Sequence, residues 1–162
     1  MSDQSKGILL DFGQAYRKAA DYCAIQDRCI SEMQLRLRYW NIDNSLYSSI
    51  ISKLIDEGFL DEKRFALNYA GGKFRINGWG KLKIAAGLRT RAIAASLIQQ
   101  ALSTIENDEY TLFLGTLLQK KLKLLGGDTP LNRQKAAYFA ASRGFEPGLI
   151  AMYLHNTEIF DI

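Results

Sequence analysis

Met33-Gln34-Leu35-Arg36-Leu37-Arg38-Tyr39-Trp40-Asn41-Ile42 is answered 51 residues later by Ile84-Ala85-Ala86-Gly87-Leu88-Arg89-Thr90-Arg91-Ala92-Ile93, and 52 residues further on by Ala136-Ala137-Tyr138-Phe139-Ala140-Ala141-Ser142-Arg143-Gly144-Phe145. In each block the first and fifth residues are apolar: Met33 and Leu37, Ile84 and Leu88, Ala136 and Ala140. A spacing of four places them on one face of a helix. The ninth residue is Asn41, Ala92 or Gly144. Asn and Gly best tolerate the left-handed backbone that ends a helix, and Ala is the poorest fit of the three. The tenth is apolar throughout. Beyond it come Leu46, Tyr47, Ile50 and Ile51; then Leu97, Ile98, Ala101 and Leu102; then Leu149, Ile150, Tyr153 and Leu154. The same offsets recur each time and draw one apolar stripe along a second helix. Pro147 falls near the start of that helix in the third copy, where its missing N–H does no harm.

A preceding helix completes each copy. It runs from Phe12 to Ala24, from the capping residue Asp61 to about Phe74, and from Asp108 to Leu125, where Gly126-Gly127 closes it. The expected fold is all-α: three tandem three-helix, helix-turn-helix-like repeats in an elongated or curved arrangement. The expected boundaries are 1–60 (an N-terminal extension and the first repeat), 61–107 (a second, basic repeat) and 108–162 (the third). Modules of roughly 50 residues bury little apolar surface alone, so stacking should help them. No sustained period-two alternation argues for strands. Gly71-Gly72 and Asn77-Gly78-Trp79-Gly80 mark a bend before the second helix of copy two.

Apolar residues make up 48% of the chain and charged residues 23%, the balance of a folded globular protein rather than a disordered one. The N-terminus lacks a secretory pattern. The apolar stretches Ile8–Leu10 and Ala92–Ile98 fall far short of the roughly 20 residues that span a bilayer. A soluble, cytoplasmic protein with no membrane partner is expected. Cys23 and Cys29 stand six apart on what reads as one helix, a spacing that fits neither a metal nor a redox pair, so both are taken as small apolar residues. There is no P-loop, Gly-x-Gly-x-x-Gly, His-Glu-x-x-His or Gly-x-Ser-x-Gly pattern. His155, the sole histidine, reads as a surface residue, and a helix start explains the adjacent Asp61 and Glu62. No catalytic site, cofactor, metal or small-molecule substrate is expected.

Charge is distributed unevenly. From Lys63 to Ile105 there is no Asp or Glu, yet Lys63, Arg64, Lys73, Arg75, Lys81, Lys83, Arg89 and Arg91 all lie there. Met1 to Leu60 carries seven basic and eight acidic residues. The middle third is therefore the electropositive part, of the kind that attracts polyanions. Lys83, Arg89 and Arg91 fall on different sides of their helix, which favours a broad positive surface over a single recognition helix. Solvated helix surface is the alternative account of these cations. Trp79, flanked by Lys73, Arg75, Lys81 and Lys83, either stacks on a base or anchors a protein contact, or it plugs the turn onto the core. Lys120, Lys121 and Lys123 form a second basic cluster where cations also complement a helix C-terminus. Helix-turn-helix modules often place one helix in the DNA major groove, but many bind only protein.

Leu60-Asp61-Glu62-Lys63-Arg64-Phe65-Ala66, then Tyr69, then Gly78-Trp79-Gly80-Lys81-Leu82-Lys83-Ile84 and Leu88, resemble the signature of the RecX family, in which an acidic pair and Arg-Phe-Ala open a helix and a Gly-rich turn precedes a basic one. Arg143-Gly144-Phe145 is similar to that family's closing motif. The resemblance covers roughly Ala15 to Leu154. Glu62 stands where many members have a second Asp, Lys81 where many have Pro, and Asn41 and Ala92 where Gly is usual. The resemblance implies a non-enzymatic regulator that binds the RecA recombinase filament on single-stranded DNA, and that limits strand exchange, ATP hydrolysis and co-protease activity in DNA repair and the SOS response. It makes Arg-Phe-Ala architectural, with Phe65 in the core and Arg64 at the surface or paired with an acid. On charge placement, the candidates for contacting the filament or its DNA, single-stranded or double-stranded, are Lys73, Arg75, Trp79, Lys81, Lys83, Arg89, Arg91, Lys120, Lys121, Lys123 and Arg143. The competing readings are a helical DNA-binding protein without a recombinase partner and a protein adaptor indifferent to nucleic acid.

Overall fold

The computed structural model describes residues 9–155, so the N-terminal extension expected ahead of the first copy and the last seven residues of the third lie outside the described residues. The order is α1 Phe12–Ile25, α2 Ile30–Tyr39, a 3-10 turn Asn44–Leu46, α3 Tyr47–Asp56, α4 Glu62–Arg75, α5 Lys81–Thr90, α6 Ala95–Ser103, α7 Asn107–Leu124, α8 Pro130–Ser142 and α9 Pro147–His155. No strand occurs among the described residues. The fold is all-α, three helices to each copy of the repeat.

Helix starts are set by short polar side chains. Asp11 and Gln14 form a reciprocal capping box on α1. Asp61 accepts the Arg64 amide at 3.0 Å on α4. Thr129 accepts the Asn132 amide on α8, with Pro130 in the first turn. The stop between the second and third helices is the same in all three copies. Asn41 (φ 55°), Ala92 (φ 57°) and Gly144 (φ 94°) are left-handed. The next amide then reaches five residues back: Ile42 to Leu37 at 3.0 Å, Ile93 to Leu88 at 3.2 Å and Phe145 to Ala140 at 3.2 Å. This is the bonding pattern of a helix ended by a left-handed residue.

Core positions follow the repeat. Met33, Leu37, Ile84, Leu88, Ala136, Ala140 and Phe145 are wholly buried, and Ile42 and Ile93 nearly so. All twelve residues of the apolar stripe, eleven on α3, α6 and α9 and Leu46 in the 3-10 turn, are buried or half-buried.

The chain divides into two compact units, Met1–Phe65 and Ala66–Ile162, with the division falling inside α4. The first packs α1, α2 and α3 around Ala15, Ala19, Met33, Leu37, Ile50 and Leu54. The motif at the start of α4 clasps the loop between α1 and α2. Arg64 bonds Asp27 through Nε at 3.0 Å and reaches the Gly58 carbonyl with both terminal nitrogens, while the half-buried Glu62 accepts the Ile30 amide. Phe65 is buried, as the resemblance implies.

The second unit is centred on rings from two copies. Phe74 lies 5.6 Å from Tyr110 and 5.2 Å from Phe113, and Phe145 lies 5.2 Å from Tyr110. Beside them the turn before α5 meets the turn after α8. The Gly80 amide donates to the Arg143 carbonyl at 2.8 Å, and the Leu82 amide to the Gly144 carbonyl at 3.0 Å. The Tyr110 hydroxyl accepts the Lys81 amide at 3.0 Å and donates to Glu146 at 2.6 Å.

Two expectations are corrected. Cys23 and Cys29 are not on one helix: α1 ends at Ile25, and Cys29 caps α2, its amide held by the Glu32 carboxylate at 3.4 Å. The pair is a capping box with Cys in the place of Ser or Thr, which hides it from the usual pattern. Both thiols are buried and free, and burial pushes both upward in pKa. Gly71-Gly72 is not part of the bend either. Both lie inside α4, whose Ala70 and Phe74 are buried on either side of them, and that packing outweighs the poor helix propensity of glycine.

Candidate functional site

The second half of α4, the loop 76–80, α5 and its closing residue Arg91 place five of the basic or aromatic residues in one row. Gly78 takes φ 68°, and the Trp79 amide returns to the Lys73 carbonyl at 3.0 Å, which turns the indole back over α4. The Trp79 ring is half-buried between two ammonium groups, Lys73 at 4.7 Å and Lys83 at 4.4 Å from its centroid. Lys73 also reaches the Tyr69 ring at 5.4 Å, and the Arg91 guanidinium lies 5.0 Å from that ring. Gly87 makes room for this: a Cβ there would stand 2.2 Å from the Tyr69 hydroxyl oxygen. The sequence Arg91, Tyr69, Lys73, Trp79, Lys83 is thus a run of alternating cations and rings. Each such pair contributes on the order of 0.5–1 kcal/mol at an exposed site and holds a long side chain in one direction.

The other candidates stand apart from that row. Lys81 lies over Tyr110 at 4.8 Å. Lys121 and Arg143 share the Phe139 ring at 4.5 and 5.1 Å, and Arg143 donates to the Asn77 carbonyl at 3.2 Å. Arg89, Lys120 and Lys123 are exposed. Arg75 is neutralised by a two-pronged pair with Glu109, at 2.9 and 3.0 Å. That pair raises the guanidinium and holds the Glu109 carboxyl below its usual range. The acid-free segment therefore meets an acid after all, supplied by α7 from beyond its end.

The Trp79 ring, held between Lys73 and Lys83, keeps part of its surface exposed. Sequence reasoning did not assign Tyr69, Tyr110 or Phe139 to the site. The signal available for them was a ring three or four residues from a cation on a helix, or one turn across from it. His155 is exposed, at the rim of an open groove between α8 and α9 that holds the Asp128–Arg133 ion pair. No group of three His, Cys, Asp or Glu among the described residues is placed to hold a metal, and no helix there is long and apolar enough to cross a membrane.

The residue that closes the second helix of each copy is Trp40, Arg91 or Arg143. Each meets a partner of the opposite kind. Trp40 takes Lys18 of α1 at 4.7 Å, Arg91 takes Tyr69 of α4, and Arg143 takes Phe139 of its own helix.

Residues 61–102 match the family model for the second three-helix domain of RecX. The chain is similar to the regulatory protein RecX of Xanthomonas axonopodis pv. citri, 32% identical over 119 residues, covering 71% of this chain and 70% of that one. It is also similar to RecX of Bacillus velezensis, 28% identical over 152 residues, covering 91% of this chain but only 57% of the relative's length. In fold it matches the crystal structure of RecX from Lactobacillus salivarius, with a TM-score of 0.82 at 22% identity over 91% of this chain and 97% of that one.

Proposed function

Since this chain belongs to the RecX family of regulatory proteins, we propose that it binds the RecA filament on single-stranded DNA and limits the ATPase, strand-exchange and co-protease activities of the recombinase, in DNA repair and the SOS response. The row Arg91, Tyr69, Lys73, Trp79, Lys83 is the single observation that supports a polyanion-binding or filament-contacting surface on the second repeat. Its cations are pre-positioned against rings, so less side-chain freedom is lost on binding. Tandem repeats suit a partner that is itself a repeating filament, because several weak contacts gain from high effective concentration. The repeats act as three modules, 1–60, 61–107 and 108–162.

The test is ATP hydrolysis by the cognate RecA on single-stranded DNA, titrated with this protein. Inhibition well below one molecule per RecA is the expected result. Unchanged hydrolysis at equimolar protein, with the filament intact, would remove the recombinase reading and bring forward DNA binding without a recombinase. Reversal of Lys81, Lys83, Arg89 and Arg91 to Glu should abolish filament binding; unchanged binding would clear this surface of the role.

A further inference from the structure

A second assembly of cations and rings lies in the first unit, in the part of the chain whose net charge is close to zero. The Tyr22 ring carries the Arg28 guanidinium at 4.0 Å and the Arg36 guanidinium at 4.6 Å, and Arg36 also bonds the Tyr22 hydroxyl at 3.2 Å. Trp40 stands edge-on to Tyr22 at 5.6 Å, with Lys18 at 4.7 Å over its face. Arg36 reaches one step further, 5.4 Å from the ring of Tyr39, which is 76% exposed. Among the described residues Lys18, Arg28 and Arg36 have no carboxylate partner, unlike Arg64, Arg75 and Arg133. The Nε of Arg28 is buried and makes no hydrogen bond among the described residues.

We propose that this face of the first unit, formed by α1 and the end of α2, binds single-stranded nucleic acid on its own account. An unpaired base stacks on Tyr39 or Trp40, and Lys18 and Arg36 collect the flanking phosphates. Arg28 positions the Tyr22 ring from beneath. Uncompensated cations call for an anion, and the exposed ring of Tyr39 calls for a flat partner; a single strand supplies both, with sequence-tolerant stacking. A duplex keeps its base faces covered, and an acidic peptide would use the cations and leave the Tyr39 ring idle. This site goes beyond the recombinase reading, since it needs no filament to be occupied.

The chain has two tryptophans, so each can be read alone. In the full-length Trp79→Phe protein, Trp40 is the only indole. Titration with an oligothymidylate of about 20 nucleotides, without recombinase, should quench its emission, and the affinity should fall steeply with salt. Tyr39→Ala should weaken that binding by about tenfold, and Arg36→Gln should flatten its salt dependence. A matched polyglutamate peptide should not reproduce the quenching. No response of Trp40 when Trp79 of the reciprocal Trp40→Phe protein responds would overturn the proposal. So would equal quenching by polyglutamate, which would make the face an acidic-peptide site. Photocrosslinking of a bromouracil oligonucleotide to the unaltered protein gives a check free of any substitution: the adduct should map to α2, and an adduct confined to α4 and α5 would refute the site. A regulator inactive toward RecA but quenched at Trp40 would lose the recombinase reading and keep this one.

Discussion

Gly80 and Gly144 lie backbone against backbone: a Cβ added to Gly80 would stand 2.3 Å from the carbonyl of Gly144, and one added to Gly144 would stand 2.3 Å from the Cβ of Lys83. Two motif glycines that are 64 positions apart in sequence thus form one contact between the second and third copies. Gly80→Ala should destabilise the protein by about 1–3 kcal/mol through overpacking alone. Gly144→Ala should cost more, because its φ of 94° adds left-handed strain to the clash. Denaturant unfolding followed by circular dichroism checks both. A pair of unchanged midpoints would mean the two turns part easily.

Ala92 bears the same left-handed backbone without the residue suited to it. Ala92→Gly should stabilise by about 0.5–1 kcal/mol, the strain relieved less the extra freedom of glycine in the unfolded chain. Asn41→Gly should change little, since Asn tolerates this conformation. A rise in melting temperature for the first variant and not the second is the expected pattern.

Glu109 masks Arg75. Glu109→Gln should release that guanidinium and steepen the salt dependence of polyanion binding by somewhat less than one unit of log affinity per log salt, the contribution of one phosphate contact. Arg75→Gln in the unaltered background should leave the slope where it was. Filter binding over a salt series separates the two outcomes.

Two phenols donate to carboxylates. The Tyr16 hydroxyl bonds Glu57, and burial together with that carboxylate pushes its ionisation up to about 12, from 10.0. Tyr110 is raised further, by burial first and then by its bond to Glu146. The unfolded chain releases these protons near pH 10 while the folded chain keeps them, so their contribution is intact below pH 10 and is lost between pH 10 and 12 and above. Unfolding midpoints should fall over that range. Tyr16→Phe and Tyr110→Phe should each flatten the decline while lowering stability at neutral pH.

The helices were legible because their signals are local and repeated. Buried positions at Met33, Ile84 and Ala136 recur with a fixed partner four residues on, and Asn41, Ala92 and Gly144 stop each second helix in the same way. Cys29 escaped because a thiol there replaces the usual hydroxyl of a capping box. The site was harder to read for a different reason. Counting charge along the chain cannot see that Glu109 folds back onto Arg75, nor that Lys18 and Arg36, in a segment of balanced charge, stand on rings instead of beside acids. Pairing across the fold, not composition, decides which cations stay available.

The position that closes each second helix reads Trp, Arg, Arg down the three copies, and taken as a column it looks unconstrained. Taken with its partner it obeys one condition: a ring faces a cation, and the two roles have changed places between Lys18–Trp40 and Tyr69–Arg91. No single substitution converts one arrangement to the other without passing through two rings or two cations. The third copy shows how the doubly cationic case survives, with Phe139 set between Lys121 and Arg143. Copies of this module are therefore better compared by the joint state of two sites than position by position, since ring and cation exchange places between copies.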